Sequence, residues 1–110
     1  MSLALTATAL LTMTSLAGAE KEVLGGKNTV LEKCFKMKKG QRLSYSFESA
    51  HPVDFNLHYH EGEKVTYPIK KDGVKTDKGE FTATLDQDYC LMWGGTGKTP
   101  FPVTYAYKVE

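Results

Sequence analysis

The chain is short and electrically balanced: its 110 residues include 14 basic and 13 acidic side chains, for a formal net charge of +1. After removal of the N-terminal leader described below, about 90 residues remain, enough for one small domain with one hydrophobic core. Lysines and acidic residues are interleaved along the chain, whereas a nucleic-acid-binding protein concentrates positive charge on one face. The composition therefore argues against a nucleic-acid partner.

Residues 1–19 have the pattern of a secretory signal peptide. Residues 3–13 carry no charge, and Ala17-Gly18-Ala19 forms a small-x-small cleavage pattern before Glu20. No Lys or Arg follows Met1, which leaves the true start of the leader open. A transmembrane anchor is the competing interpretation, but the apolar stretch is shorter than the roughly 20 residues that span a bilayer. No second apolar run follows, so we expect a periplasmic or secreted protein with no membrane span after cleavage.

The mature region begins with residues 20–28, whose Gly25-Gly26 pair predicts a loosely ordered lead-in. From Thr29 onward apolar and polar residues alternate with a period of two, which is typical of strands with one face in a core. Seven runs of this kind are predicted as strands: 30–37, 42–48, 53–60, 65–69, 81–85, 89–93 and 103–109.

Turn-forming residues separate these runs, among them His51-Pro52, Asp72-Gly73 and Lys78-Gly79. No segment has the pattern of an amphipathic helix, and a parallel sheet would need crossover helices. We therefore predict an all-β fold, a jelly-roll-like antiparallel β-sandwich of about seven strands, formed by a single domain at 29–110. Pro68 predicts that its strand lies at a sheet edge, where no ladder hydrogen bond is lost.

The chain has two cysteines, Cys34 and Cys90. In an exported protein such a pair most simply forms one intramolecular disulfide, which here would close a loop of roughly 57 residues. A redox-active dithiol usually has closely spaced cysteines, as in Cys-x-x-Cys, so we expect a structural bond. We also expect the two Cα atoms to lie roughly 5–6 Å apart.

Five short motifs spread over the mature chain carry a family resemblance: Cys34-Phe35, Gly40-Gln41-Arg42-Leu43-Ser44-Tyr45-Ser46-Phe47, Gly79-Glu80-Phe81-Thr82-Ala83, Tyr89-Cys90-Leu91 and Pro102-Val103-Thr104-Tyr105. They resemble the GOLD (emp24-type) domain, the lumenal β-sandwich of eukaryotic cargo receptors in the early secretory pathway. The similarity covers residues 29–109. It implies a compact extracytoplasmic sandwich that binds a partner or ligand. It also implies the Cys34–Cys90 pairing, since the family joins a cysteine before an aromatic residue to one in a Tyr-Cys strand.

The sequence departs from that family after the sandwich. Those receptors continue into a coiled coil, a transmembrane helix and a cytosolic tail, whereas this sequence ends at Glu110 with none of them. We therefore do not expect cargo-receptor function.

His58-Tyr59-His60 is the candidate for site chemistry. Histidines at i and i+2 on a strand project from the same face and can share one metal ion. Met92 or Asp54 is the candidate third ligand. Imidazoles with a thioether would suit copper, whereas two imidazoles and a carboxylate would suit zinc. An alternative interpretation remains open: both histidines simply belong to the solvent-facing side of an alternating strand.

Catalytic patterns are missing from the sequence. There is no serine in a nucleophile-elbow pattern and no paired-carboxylate motif, and a disulfide would remove both thiols. We therefore expect a protein that is not an enzyme: an exported GOLD-like binding or accessory domain without a cofactor, whose partner is an unknown protein or small ligand. The alternative is a small periplasmic copper- or zinc-binding protein that uses His58 and His60.

Overall fold

The computed structural model describes residues 18–95, 97 and 99–110. The predicted leader lies outside the described residues except for Gly18 and Ala19. Six strands cover most of the described chain: β1 (Glu20–Leu24), β2 (Val30–Met37), β3 (Arg42–Glu61), β4 (Lys64–Thr82), β5 (Gln87–Gly94) and β6 (Phe101–Val109). The predicted all-β antiparallel fold is confirmed, with six strands in place of about seven. Within these residues no helix is long and apolar enough to cross a membrane.

The strand β3 is the element that joins the two layers of the sandwich. Its first half pairs with β6, from Leu43 opposite Val109 to Ser49 opposite Val103. Its second half pairs with β5, from Asp54 opposite Gly94 to His58 opposite Cys90. Strand β4 pairs with both halves of β3, while β1 extends the sheet beyond β6 and β2 extends it beyond β5. One curled sheet therefore provides two layers, β1-β6-β3-β4 and β2-β5-β3-β4.

The strand count differs from the prediction because three expected turns lie within strands. One of them, Lys78-Gly79, is a regular part of β4, where the two residues pair with Ser46 and Tyr45 of β3. Predicted strands 42–48 and 53–60 are both parts of β3, and on the β4 side residues 49–52 between them lie opposite Lys75 alone. Such a bulge bends a strand without ending it, and it accommodates Pro52, which has no partner in the ladders of β3. Asp72-Gly73 likewise lies within β4, where Gly73 has a φ of 68°. Predicted strands 65–69 and 81–85 are thereby joined into one strand, which ends at Thr82.

The expected lead-in at 20–28 contains a strand that the sequence analysis missed. β1 pairs antiparallel with β6, from Glu20 opposite Tyr105 to Leu24 opposite Phe101. Leu24 is completely buried, so this strand contributes to the core. Gly25 has a φ of 103°, and its N–H donates to the Asn28 carbonyl at 2.7 Å in the turn toward β2. The two glycines thus mark a turn between strands, since only glycine adopts this backbone conformation freely.

Pro68 lies on β4, whose ladder partner among the described strands is β3 alone, as expected for an edge strand. Its missing N–H therefore costs no ladder hydrogen bond. Five lysines also lie along this strand, and charged side chains on an exposed edge discourage pairing with a second chain.

Aromatic side chains fill the space between the layers. The ring centroids of Phe47 and Phe55, on the two halves of β3, lie 4.7 Å apart. Trp93 on β5 lies 5.6 Å from Phe55 and 5.1 Å from Tyr105 on β6. These four side chains are almost fully buried. Because Trp93 and Tyr105 belong to opposite layers, their contact shows that the sandwich is closed and its interior occupied.

The edges of the two layers are also tied by polar groups. The Lys33 ammonium lies 2.8 Å from the Glu22 carboxylate, and the Tyr105 hydroxyl donates to the same carboxylate. The hydrogen bond from Lys33 is the main reason that the pKa of Glu22 is lowered from its usual value. Since both charged side chains are about one-third exposed, this pair contributes less than about 1 kcal/mol. It aligns β1 with β2 more than it stabilises the fold.

Cys34 and Cys90 form the predicted disulfide. The two residues are direct partners across the β2–β5 ladder, and their Cα atoms lie 4.0 Å apart. That distance is shorter than the predicted 5–6 Å because the bond joins neighbouring strands of one layer. The sulfurs lie on the outer face of that layer, since the alternate β2 residues Leu31 and Met37 face the core.

Removal of the disulfide is expected to destabilise the domain. The bond spans 56 residues of sequence, and the chain-entropy model assigns about 4 kcal/mol to such a loop. Urea unfolding of Cys34→Ser/Cys90→Ser should show that loss in the free energy of unfolding, and reduced wild type should match it. An unchanged urea midpoint would contradict the prediction.

Phe55→Ala is expected to lower the free energy of unfolding by about 3–5 kcal/mol, because it leaves a cavity between Phe47 and Trp93. Leu85→Ala is the control, since Leu85 is 39% exposed and its truncation should cost less than about 0.5 kcal/mol. Equal effects of the two substitutions in chemical denaturation would contradict the position of the core.

Candidate functional site

The outer face of the β2-β5-β3 layer gathers the candidate site residues. On β3, Phe55 and Leu57 face the core, so Asn56, His58 and His60 project outward. The ladders place Asn56 opposite Met92 and His58 opposite Cys90 on β5. On β2, Glu32 is opposite Met92 and Cys34 is opposite Cys90. We call Glu32, Asn56, His58, His60 and the Cys34–Cys90 disulfide the His58 cluster.

His58 is buried although it lies on an outer face. Its side chain is 5% exposed, with the Tyr67 ring centroid 5.7 Å from the imidazole. The interpretation of both histidines as solvent-facing residues therefore holds for the exposed His60 and is wrong for His58. The two imidazole centroids lie 5.2 Å apart, so the predicted pair does share one region of the surface.

Both ring nitrogens of His58 face oxygen atoms. Nδ1 lies 2.7 Å from Asn56 Oδ1, and Nε2 lies 3.1 Å from Glu32 Oε2. Burial is the main cause that lowers the pKa of His58, while the charge of Glu32 acts in the opposite direction and His60 adds to the lowering. A neutral imidazole has one N–H, so it can donate to one of these oxygens only. The other contact is then satisfied by a proton, by a cation, or by rotation of the Asn56 amide.

The spacing of Nε2 and the Glu32 oxygen suits two ligands of one cation. Zinc lies about 2.0–2.2 Å from imidazole nitrogen and carboxylate oxygen, which in a tetrahedral site puts those ligand atoms about 3.3 Å apart. The observed 3.1 Å is close to that value. A charge-assisted hydrogen bond has the same length, so distance alone does not distinguish the two arrangements.

Of the two predicted third ligands, Met92 is a neighbour of His58 and Asp54 is not. Asp54 is four residues along β3, and its Oδ1 accepts a hydrogen bond of 3.0 Å from the Gly73 N–H in the β4 bulge. It supports the backbone there and is not part of the cluster. Met92 is half-buried and pairs with Asn56, which makes it a diagonal neighbour of His58 on the same face.

Glu32 and Cys90 are the site residues that the sequence analysis missed as ligands. One potential ligand atom from each of Glu32, His58 and Cys90 lies within 4.8 Å of the others. Glu32 comes from a strand far away in sequence, so periodicity gave no reason to place it near His58. The cysteines contained part of the signal, because pairing Cys34 with Cys90 also puts Glu32 opposite Met92.

Two of the concavities in the described part of the chain bear on possible binding at the outer faces. One, of about 600 Å³, lies beside the disulfide and is lined by Cys34, Phe35, Lys36, His60, Gln87, Asp88 and Cys90. The other, of about 490 Å³, lies across β4, β3 and β6, where Ser44, Ser46 and Ala106 present small side chains between Lys78 and Lys108. The first concavity makes the disulfide reachable from solvent.

Comparison with known proteins identifies the fold of this chain but does not assign it to a family. No family model matches the chain, and no curated protein matches it. Solved structures that are similar include the pre-peptidase C-terminal domain of a Bacillus anthracis collagenase (TM-score 0.65, 14% identity, covering 82% of this chain and 87% of that one). Aeromonas hydrophila PliG, a periplasmic inhibitor of g-type lysozyme, is also similar (TM-score 0.57, 12% identity, 84% and 85%). So is the Yersinia pseudotuberculosis-derived mitogen (TM-score 0.58, 15% identity, 84% and 85%). These similarities support the β-sandwich fold. The resemblance to the GOLD domain still rests on the short sequence motifs alone.

The burial of His58 predicts a pH-dependent stability. Because its pKa is lowered in the folded state, the unfolded chain binds the proton first as the pH falls. The free energy of unfolding should therefore decrease below about pH 6.5 and level off once the pH is under the folded-state pKa. Urea unfolding at several pH values should show this slope in wild type and a flatter one in His58→Gln.

His51→Gln is the matched control, because His51 is exposed and its variant should keep the wild-type slope. Glu22 and Asp77 have lowered pKa values, so the loss of stability at more acidic pH should remain in all three proteins. A His58→Gln profile identical to wild type between pH 5 and 7 would contradict the assignment.

Proposed function

We propose that this chain is an exported, non-catalytic binding domain of GOLD-like type. The observation that carries the proposal is the filled interior: Phe47, Phe55 and Trp93 occupy the space between the layers. A ligand or partner must then contact an outer face or an edge, as in a binding module built on a rigid sandwich. The signal-peptide pattern and the disulfide support a periplasmic or secreted location, where such bonds persist.

The contacts of His58 support a non-catalytic role. Its ring nitrogens face Asn56 and Glu32, so the imidazole is not placed against a hydroxyl that it would activate as a general base. The neighbouring Cys90 is held in the disulfide and offers no thiolate. Among similar folds, one is described as a periplasmic lysozyme inhibitor and another as a domain accompanying a collagenase, which favours binding over catalysis for this architecture.

Capture of a partner by the disulfide-bonded domain tests this proposal. The mature protein, immobilised, is exposed to the envelope extract of its own cell, and a bound component is then assayed in purified form. Ser46→Arg and Lys36→Glu alter one outer face each without entering the core. We expect direct binding that one of the two variants abolishes. Equal binding by wild type and both variants, or no saturable binding, would contradict an outer-face site.

The contact between Glu32 and His58 favours a second candidate function, a small protein that binds zinc or copper. With the disulfide intact, the cluster offers Glu32, His58 and His60, a carboxylate and two imidazoles that suit zinc. Met92 supplies a thioether on the same face, which would favour copper(I). Three protein ligands leave a position open, as in sites that exchange their metal or bind a substrate to it.

Calorimetric titration of the oxidised protein with zinc, copper(II) and copper(I) tests this second function. We expect saturable binding of one metal ion per chain, weakened about tenfold or more in His58→Ala/His60→Ala because two ligands are lost. His51→Ala should bind like wild type, since His51 is outside the cluster. Equal binding by wild type and the double variant would show that the outer face holds no metal.

A further inference from the structure

We propose that reduction of the Cys34–Cys90 disulfide converts the His58 cluster into a closed metal site of two thiolates, one imidazole and one carboxylate. The expected ligands are Cys34, Cys90, His58 and Glu32, and the expected cation is zinc or another thiophilic divalent ion. The proposal shares Glu32 and His58 with the second candidate function. It does not require that the oxidised protein bind metal.

The sheet register brings these four donors together. Cys34 and Glu32 are alternate residues of β2, so both project from the outer face. Cys90 is the direct ladder partner of both Cys34 and His58, which makes it the centre of the group. Donor atoms of Glu32, His58 and Cys90 already lie within 4.8 Å of one another. The Cys34 sulfur lies one S–S bond away from the Cys90 sulfur and completes the set of four.

The ligand set matches the preferences of zinc. Zinc binds thiolate sulfur at about 2.3 Å and imidazole nitrogen at about 2.0–2.1 Å, usually with four ligands in tetrahedral structural sites. Three of the four donors, those of Glu32, His58 and Cys90, lie within 4.8 Å of one another, and reduction frees the Cys34 side chain to rotate toward them. The oxidised protein lacks the two anionic sulfurs, and disulfide sulfur is a poor ligand, so the same residues then form at most an open site.

Asn56 provides an independent indication of metal binding. A metal-ligating histidine generally donates its other ring N–H to a carbonyl or carboxylate, which fixes its tautomer and orientation. Asn56 Oδ1 lies 2.7 Å from His58 Nδ1, and Asn56 is itself buried. When Nδ1 carries the proton and donates it to Asn56, the Nε2 lone pair faces Glu32, and a cation can be held between them.

A dithiol can supply the two electrons that reduce the Cys34–Cys90 disulfide. The reductant gives two electrons to the Cys34–Cys90 bond, which becomes two thiols, and the reductant closes its own disulfide. Binding of a divalent ion then releases the two thiol protons. The concavity lined by Cys34, Lys36 and His60 gives a reductant access to the sulfurs from the solvent side.

The test is cobalt(II) and zinc titration of the mature protein before and after reduction with a phosphine, which is removed before metal is added. Sulfur-to-cobalt charge-transfer absorption should appear in the reduced protein and not in the oxidised one. We expect zinc affinity to rise by about tenfold or more on reduction, because two thiolate ligands are added. Reduced Cys34→Ser/Cys90→Ser should show neither the absorption nor the gain.

His58→Ala and Glu32→Gln distinguish the folded site from thiols of an unfolded chain, because both variants keep the two cysteines. Each should lose about tenfold or more in affinity after reduction, whereas His51→Ala should not. Equal metal binding by these variants and wild type would overturn the proposal. So would a reduced wild type that loses its β-sheet circular dichroism and does not regain it with zinc. Binding by oxidised wild type bears on the second candidate function alone.

Discussion

The structure depends on one constraint, namely that β3 remains a single strand of twenty residues while serving two layers. Its first half forms a ladder with β6 and its second half a ladder with β5, and residues 49–52 between them bulge opposite Lys75. The bulge turns the strand so that Phe47 and Phe55 approach each other from the two layers. The aromatic core follows from this bend, since Trp93 and Tyr105 lie on the strands that the two halves of β3 hold in place.

The same constraint determines where chemistry can occur. With the interior filled, side chains that alternate away from the core reach solvent or one another on the outer faces. On one such face, Glu32, His58 and Cys90 come from three neighbouring strands and meet through their register alone. A shift of one residue in the β5 register would send Cys90 into the core and separate it from His58. The disulfide between β2 and β5 therefore stabilises the domain and also fixes the geometry of the His58 cluster.

Sequence periodicity predicted the local structure well and the long-range structure in part. Alternation correctly assigned Phe55 and Leu57 to the core and placed His58 and His60 on one outward face. It failed at His51-Pro52 and Asp72-Gly73, because residues that favour turns also suit bulges, and only the partner strand decides between them. It missed β1, whose two apolar residues, Val23 and Leu24, show little alternation, so that pairing with β6 determines its conformation. Glu32 was missed for the same reason, since its proximity to His58 depends on strand order.

X-ray absorption spectroscopy at the zinc edge of the reduced, zinc-loaded mature protein tests the central claim, that strand register gathers one metal site from β2, β3 and β5. The account predicts two sulfur ligands at about 2.3 Å and two nitrogen or oxygen ligands at about 2.0–2.2 Å. A shell of four sulfurs, which would require two chains, or a shell without sulfur would contradict it.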